Sequence, residues 1–396
     1  MGDAKDLLCV DAPLSLKRRL IVPKKLLCGP GPTNMHSRVR DALSLPLLGH
    51  MHKEFAEIMD ELQAGTKYLF QTLNKMTFAL AGTGHAGMEC CLTNLVEPGD
   101  KVCIVKSGIW GERCGDMVTR LQGIPCFVES GKLGNGIGIE SLEKVLLAES
   151  PRLLYVAQGE SSTGVQEDIA MIASASSTHK CIVIVDTVAS LGGVPFKMDE
   201  WNVGCVFTGS QKVLGAPPGT ALVSFGADAV QKYERRRTPV TSYLFDLANN
   251  AKYWNIEGFG PRGYHYTGAI SSFYALREAI GVVCEEGLIE TQRRHQDAAT
   301  YLYAKLKEMG LELLVSDPKF RLPTVTTVKC PSHVNPLTVT NYLMDNFLLE
   351  VSGGLGPSKG LVWRIGLMGP NANRDTVDCI VDHLKCALKA TGSSHL

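Results

Sequence analysis

Cys181-Ile182-Val183-Ile184-Val185-Asp186-Thr187-Val188-Ala189-Ser190 is the stretch that decides the fold. Its first five residues are apolar without a break and four of them are β-branched. Such a run, with no polar alternation, is the mark of a strand covered on both faces. Working outward, further strands are predicted over 77–81, 101–105, 153–157, 203–208 and 220–225, with helical spacing over 54–70 and 88–96. Strands and helices that alternate in this way predict an α/β fold with a mainly parallel central sheet, in which ligands gather at the carboxyl ends of the strands. Asp186 stands at such an end.

Around this core, residues 1–23 read as an extended N-terminal arm closed by Pro23, and Gly29-Pro30-Gly31-Pro32 is a loop by composition. A helical stretch over 271–286 leads into a second unit. It reads as helix 289–309, strands 311–315 and 324–329, helix 336–346, strand 361–366 and helix 373–390. The expected layout is an arm (1–23), a large domain (24–286) and a smaller C-terminal α+β domain (287–396).

Composition narrows the partners. The 396 residues carry 40 Lys+Arg against 40 Asp+Glu. A zero net charge removes the general electrostatic attraction on which nucleic-acid and anionic-membrane binders rely, so neither partner is expected. The 13 cysteines show no CxxC pair and no metal-type spacing, which reads as reduced, mostly buried thiols and no metal site. No apolar run approaches the ~20 residues a membrane span needs. The N-terminus lacks the apolar core of a signal peptide, and Asp3, Asp6 and Asp11 argue against a mitochondrial presequence. The final Ser394-His395-Leu396 follows the small–basic–Leu pattern of a peroxisomal address, read by an import receptor.

Three motifs carry chemistry. Gly82-Thr83-Gly84-His85-Ala86-Gly87 sits between a predicted strand and a helix, and its spacing matches a dinucleotide fingerprint. The following strand ends in Lys106-Ser107, however, where a dinucleotide site needs an acidic residue for the ribose. The broader reading is a glycine-lined helix N-terminus that holds a phosphate. Asp186 brings a carboxylate out of an apolar strand, which is costly without a cationic partner, unless it merely caps a helix. Lys212, in Gly209-Ser210-Gln211-Lys212-Val213-Leu214-Gly215, is either a surface lysine or an amine kept partly from water and thereby made nucleophilic towards an aldehyde. A phosphate anchor, a carboxylate for a ring nitrogen and a reactive lysine are together the fixtures of pyridoxal phosphate.

On these motifs the sequence resembles the class V aminotransferase family, within the fold-type-I pyridoxal phosphate enzymes. The likeness spans about residues 24–390. It also rests on Gly108-Ile109-Trp110-Gly111, Gly159-Glu160-Ser161-Ser162-Thr163-Gly164, Val185 through Gly193, and Gly353-Gly354-Leu355-Gly356-Pro357. The resemblance implies that Lys212 bonds the cofactor and moves the proton at the substrate Cα, and that Asp186 keeps the ring nitrogen protonated. By the same resemblance Trp110 stacks on the ring with Val188 on its other face, and Ser161 bonds near the ring's polar edge. Thr83, Gly84, His85 and Gln211 hold the phosphate, while Arg364 clamps the substrate carboxylate. Gly31 and His50 stand at the substrate entrance, and Tyr264 and Thr267 reach the phosphate of a partner subunit, which implies a homodimer with shared active sites.

Two departures stand out. The family's frequent Ser-Gly-Ser-Gly-His is Ala81-Gly82-Thr83-Gly84-His85 here, and its Tyr-His-His-Thr is Tyr264-His265-Tyr266-Thr267, preceded by an extra glycine in Pro261-Arg262-Gly263. Gly49-His50 resembles the alanine–glyoxylate branch, whereas related 3-hydroxykynurenine transaminases carry Ser-Asn there. The resemblance thus implies transamination of glyoxylate with alanine, or serine, as donor. The alternatives are 3-hydroxykynurenine transamination, a nicotinamide-dependent oxidoreductase built on the glycine motif, and a non-catalytic binding protein on the same fold.

Overall fold

The computed structural model describes residues 10–391, so Ser394-His395-Leu396 lies outside the described residues. Seven strands form the central sheet: β1 (Met76–Ala81), β2 (Lys101–Lys106), β3 (Ile124–Glu129), β4 (Leu153–Ala157), β5 (Ile182–Asp186), β6 (Cys205–Gly209) and β7 (Thr220–Phe225). Their spatial order is β1-β7-β6-β5-β4-β2-β3. Every neighbouring pair is parallel except those of β7, which runs antiparallel to both β1 and β6. The expectation of a mainly parallel sheet therefore holds, with one reversed strand. That strand follows directly from the loop bearing Lys212, and the short turn back from β6 dictates its direction.

Helices cover both faces. The ones that matter for the site are α1 (Lys53–Phe70), α2 (Gly84–Leu95) and α3 (Ile109–Arg120). Strands β4 and β7 are buried at every position, as continuous apolar runs require. The edge strand β3 keeps only Val128 fully buried, and Pro125 within it is tolerated at an edge.

The second unit is a three-stranded antiparallel sheet of β8 (Val325–Lys329), β9 (Ser352–Gly353) and β10 (Val362–Gly366), with β10 in the middle. Helices α4 (Leu288–Glu308), α5 (Pro336–Phe347) and α6 (Arg374–Ala390) pack on it around their own apolar core, which includes Trp363, Leu302, Leu343 and Leu384. The strand expected over 311–315 is reduced to a single bridge between Leu313 and Val328. Residues 26–28 belong to this unit as well: Leu26 and Leu27 pair in parallel with Leu349 and Glu350, and Cys28 enters its core. Gly366 N–H also donates to Cys28 O at 2.8 Å. The Gly29-Pro30-Gly31 loop is thereby held against the C-terminal unit and faces Lys212.

Candidate active site

The carboxyl ends of β1, β4, β5 and β6 surround a cavity of about 290 Å³. It is lined by Thr83, Gly84, His85, Trp110, Ser161, Asp186, Val188, Gln211 and Lys212, together with Met88, Gly159, Ala189 and Phe207. Nine residues singled out from sequence thus meet in one place.

At one end, β1 passes through Gly82 into the N-terminus of α2. Gly82 has φ +148°, a backbone conformation that L side chains rarely adopt. Thr83, at the N-cap, makes no side-chain capping bond, so its hydroxyl and the first amides of α2 are available to an anion. The Gln211 Oε1 beside them is buried without a hydrogen-bond partner.

At the other end, Asp186 closes β5, almost wholly buried. Its Oδ1 accepts Val188 N–H at 2.8 Å and its Oδ2 accepts the Tyr155 hydroxyl at 3.1 Å. Burial pushes its carboxyl up to about 6, against the opposing pull of those two hydrogen bonds and the Lys212 charge. A cationic N–H from a bound ligand is the partner this carboxylate lacks.

Between the two ends lies Lys212. Burial, then the nearby Arg364 charge, lowers its amine to about 8. An amine brought that close to neutrality is a competent nucleophile and proton carrier. Its Nζ donates to Pro30 O. Gly31 has φ +106°, a conformation that L side chains rarely adopt, and a Cβ there would displace the Lys212 side chain.

The wall of the cavity is a network. Trp110 Nε1 donates to Ser161 Oγ at 2.9 Å, and Trp110 N–H donates to Glu160 Oε2 at 3.0 Å. Glu160 also accepts from Ser162 N–H at 2.9 Å and Ser162 Oγ at 2.6 Å. Arg113, one turn along α3, lies over the Trp110 ring with Cζ 4.8 Å from the centroid, and its Nη1 is 2.9 Å from His85 Nε2. A guanidinium can only donate, so His85 Nε2 is the acceptor and the ring is neutral; burial and the Arg113 charge both lower its pKa.

Arg364 stands on β10, buried, with Nε donating to Gly353 O at 2.7 Å and Nη1 to Ser161 O at 3.3 Å. Those bonds fix the guanidinium plane and leave Nη2 free of protein partners among the described residues. Burial pulls its pKa below the usual arginine value, against the opposing charges of Glu160 and Glu350.

Of the fourteen residues singled out from sequence, five do not line this cavity: Arg364 and Gly31 bear on Lys212 from beside it, and His50, Tyr264 and Thr267 lie elsewhere. His50 and Tyr264 pack on each other, ring centroids 5.2 Å apart, and Tyr264 is 64% exposed. Neither they nor Thr267 line the cavity of their own chain. Conversely, sequence reasoning assigned no role to Tyr155, Arg113 or Glu160. Arg113 had a readable signal, since it falls three residues after Trp110 and so on the same helix face.

These residues fit pyridoxal phosphate. A helix N-terminus and the Thr83 hydroxyl oppose the phosphate, a buried carboxylate opposes the ring nitrogen, an indole opposes the ring face, and a desolvated lysine opposes the aldehyde.

Comparison with known proteins agrees. The family described as aminotransferase class-V matches residues 37–368. The alanine–glyoxylate aminotransferase of Drosophila melanogaster is 44% identical over 96% of this chain and 97% of its own length. The (S)-ureidoglycine–glyoxylate transaminase of Bacillus subtilis is 31% identical over 95% and 93% respectively. Among solved structures, the alanine–glyoxylate aminotransferase of Nostoc sp. superposes with a TM-score of 0.91 at 37% identity, over 96% of this chain and 100% of that one. The chain belongs to the class V aminotransferases, which are pyridoxal phosphate enzymes.

Proposed function

We propose that the enzyme moves the amino group of alanine, or of serine, to glyoxylate, so that alanine and glyoxylate become pyruvate and glycine in two half-reactions. The observation that carries this reading is the pairing of Lys212, a proton-carrying amine lining the cavity, with Arg364, a planar cation whose charge bears on that amine, which bonds to the cavity-lining Ser161 and has one nitrogen to spare. Such a pair suits a small α-amino or α-oxo acid, whose carboxylate meets the guanidinium while its Cα faces the amine. Pyridoxal phosphate, when bound, supplies the aldehyde that takes the amino group and a ring that accepts electrons from Cα. The protein supplies the rest. Lys212 would take the proton from Cα and deliver it to the cofactor carbon that carried the aldehyde, and carry it the opposite way in the second half-reaction; Arg364 would fix which face is presented, and Asp186 would hold a proton at the ring nitrogen. Trp110 keeps water from one face of the ring.

Relatives named for alanine and glyoxylate at 44% and 37% identity support this choice of substrates. The test is a panel of donors and acceptors on the purified protein. Alanine with glyoxylate should be the fastest pair; faster turnover of 3-hydroxykynurenine would replace this reading with the other.

The working enzyme is a homodimer in this reading. Supporting it, Tyr264, Leu45, Leu47 and Met51 are exposed, and the arm at 10–23 leaves Leu14, Leu16, Leu20 and Ile21 largely in solvent. Apolar side chains grouped in this way call for a covering surface. Tyr264 and Thr267 then serve the phosphate of the partner's site. Sedimentation of the holoenzyme tests it, with a monomer as the adverse result. Location in peroxisomes, where Ser394-His395-Leu396 would engage the import receptor, is tested by deleting the three residues. A tagged protein that stays on peroxisomes would refute it.

A further inference from the structure

The Asp186 carboxylate has two protein partners, and they differ in kind. The Val188 N–H is backbone and comes with the turn after β5 whatever the side chain at 188. The Tyr155 hydroxyl is a choice of residue. In the parallel register of β4 and β5, Ala157 lies opposite Asp186 and Tyr155 opposite Ile184. Tyr155 is therefore the diagonal neighbour of Asp186 on the same face of the sheet, a separation that only a long side chain spans. Ala157 leaves that path open. Both residues are buried, and the Tyr155 hydroxyl is kept protonated by burial and by the Asp186 charge, so it acts as a donor.

We propose that Tyr155 is a positioning residue for the transamination: its hydroxyl holds the Asp186 carboxylate in place and draws off part of its negative charge, so that the proton shared with the cofactor sits on the ring nitrogen. A carboxylate with one donor fewer is a stronger base and competes better for that proton. A ring nitrogen that loses it is a poorer electron acceptor. The other groups near Asp186 do not replace the hydroxyl. Cys91 of α2 and Cys114 of α3 make no hydrogen bond to Asp186, and the Glu160 carboxyl is taken up by Trp110 N–H and by Ser162 N–H and Oγ. Lys212 acts on Asp186 through its charge, with its Nζ bonded to Pro30 O. This inference rests on the assignment of Asp186 to the ring nitrogen.

The test is Tyr155→Phe in the holoenzyme, which keeps the buried ring and removes only the donor. Loaded with cofactor labelled with ¹⁵N in the ring, the variant should show the ring-nitrogen resonance displaced towards neutral pyridine. Its kcat should fall roughly tenfold, the weight of one hydrogen bond to a charged group, with KM for glyoxylate within about twofold of wild type. An unchanged resonance together with unchanged kcat overturns the proposal. Should the variant not fold, 3-fluorotyrosine placed at 155 makes the hydroxyl a stronger donor and should move the resonance towards pyridinium; no movement counts against the proposal. If Asp186→Asn keeps the ring nitrogen protonated and full activity, the assignment beneath the proposal fails, and the proposal with it.

Discussion

The indole N–H of Trp110 donates to Ser161 Oγ across 2.9 Å, tying the first turn of α3 to the loop that follows β4. The bond sets the plane of the indole, and hence the surface on which a ring can stack. Ser161→Ala leaves that N–H without its partner. The expected result is a cofactor dissociation constant raised about fivefold, the worth of one neutral hydrogen bond near 1 kcal/mol, with little change in the melting temperature of the cofactor-free protein. Fluorescence titration of the cofactor-free form measures it.

Arg364→Lys should separate binding from chemistry. A lysine keeps the charge but lacks the planar fork and cannot also hold Gly353 O and Ser161 O. The expected change is a KM for glyoxylate raised by roughly 10- to 100-fold, from the loss of charge-assisted hydrogen bonds, with kcat lowered much less. Initial rates over a range of glyoxylate check the split.

Gly31→Ala should damage the site from outside it. The positive φ strains any side chain there, and the added methyl meets Lys212. The expected outcome is loss of most activity with a chain that still folds, read by steady-state rates beside circular dichroism.

Glu167 should leave its mark on stability rather than on rate. It is buried, accepts from Ser107 Oγ and from Ile137 N–H at 3.1 Å, and its carboxyl is raised to about 7 by burial. A raised carboxyl binds its proton more tightly in the folded state, so its contribution is full below the ordinary range near 4.5 and is lost as pH rises towards 7. Glu167→Gln, which stays neutral, should flatten the fall in melting temperature between about pH 5 and 7. A slope equal to that of wild type contradicts the assignment.

The parts of the fold that were legible in the sequence are those where burial is one-dimensional. Leu153–Ala157 and Thr220–Phe225 form strands over the very residues expected, because both faces are covered and every position must be apolar. Helix α3 was not read at all. Its Gly111 lowers helix propensity, yet a Cβ there would stand 2.8 Å from Val105 O, so the glycine is what lets the helix lie close on β2. In the site, the single residues carrying chemistry were legible from their motifs. The contacts that orient them were not. Tyr155 with Asp186, and Glu160 with the N-terminus of α3, depend on strand register and on loop packing, which a linear pattern does not contain.

The most direct test of the central claim is the half-reaction with alanine alone, on the purified holoenzyme and on Lys212→Ala. The account predicts one pyruvate released per active site, a visible absorbance band that disappears with it, and recovery of that band with formation of glycine when glyoxylate is added. Lys212→Ala should release no pyruvate on the same timescale. Failure of the wild-type enzyme to release pyruvate, or release by Lys212→Ala at the wild-type rate, would contradict it.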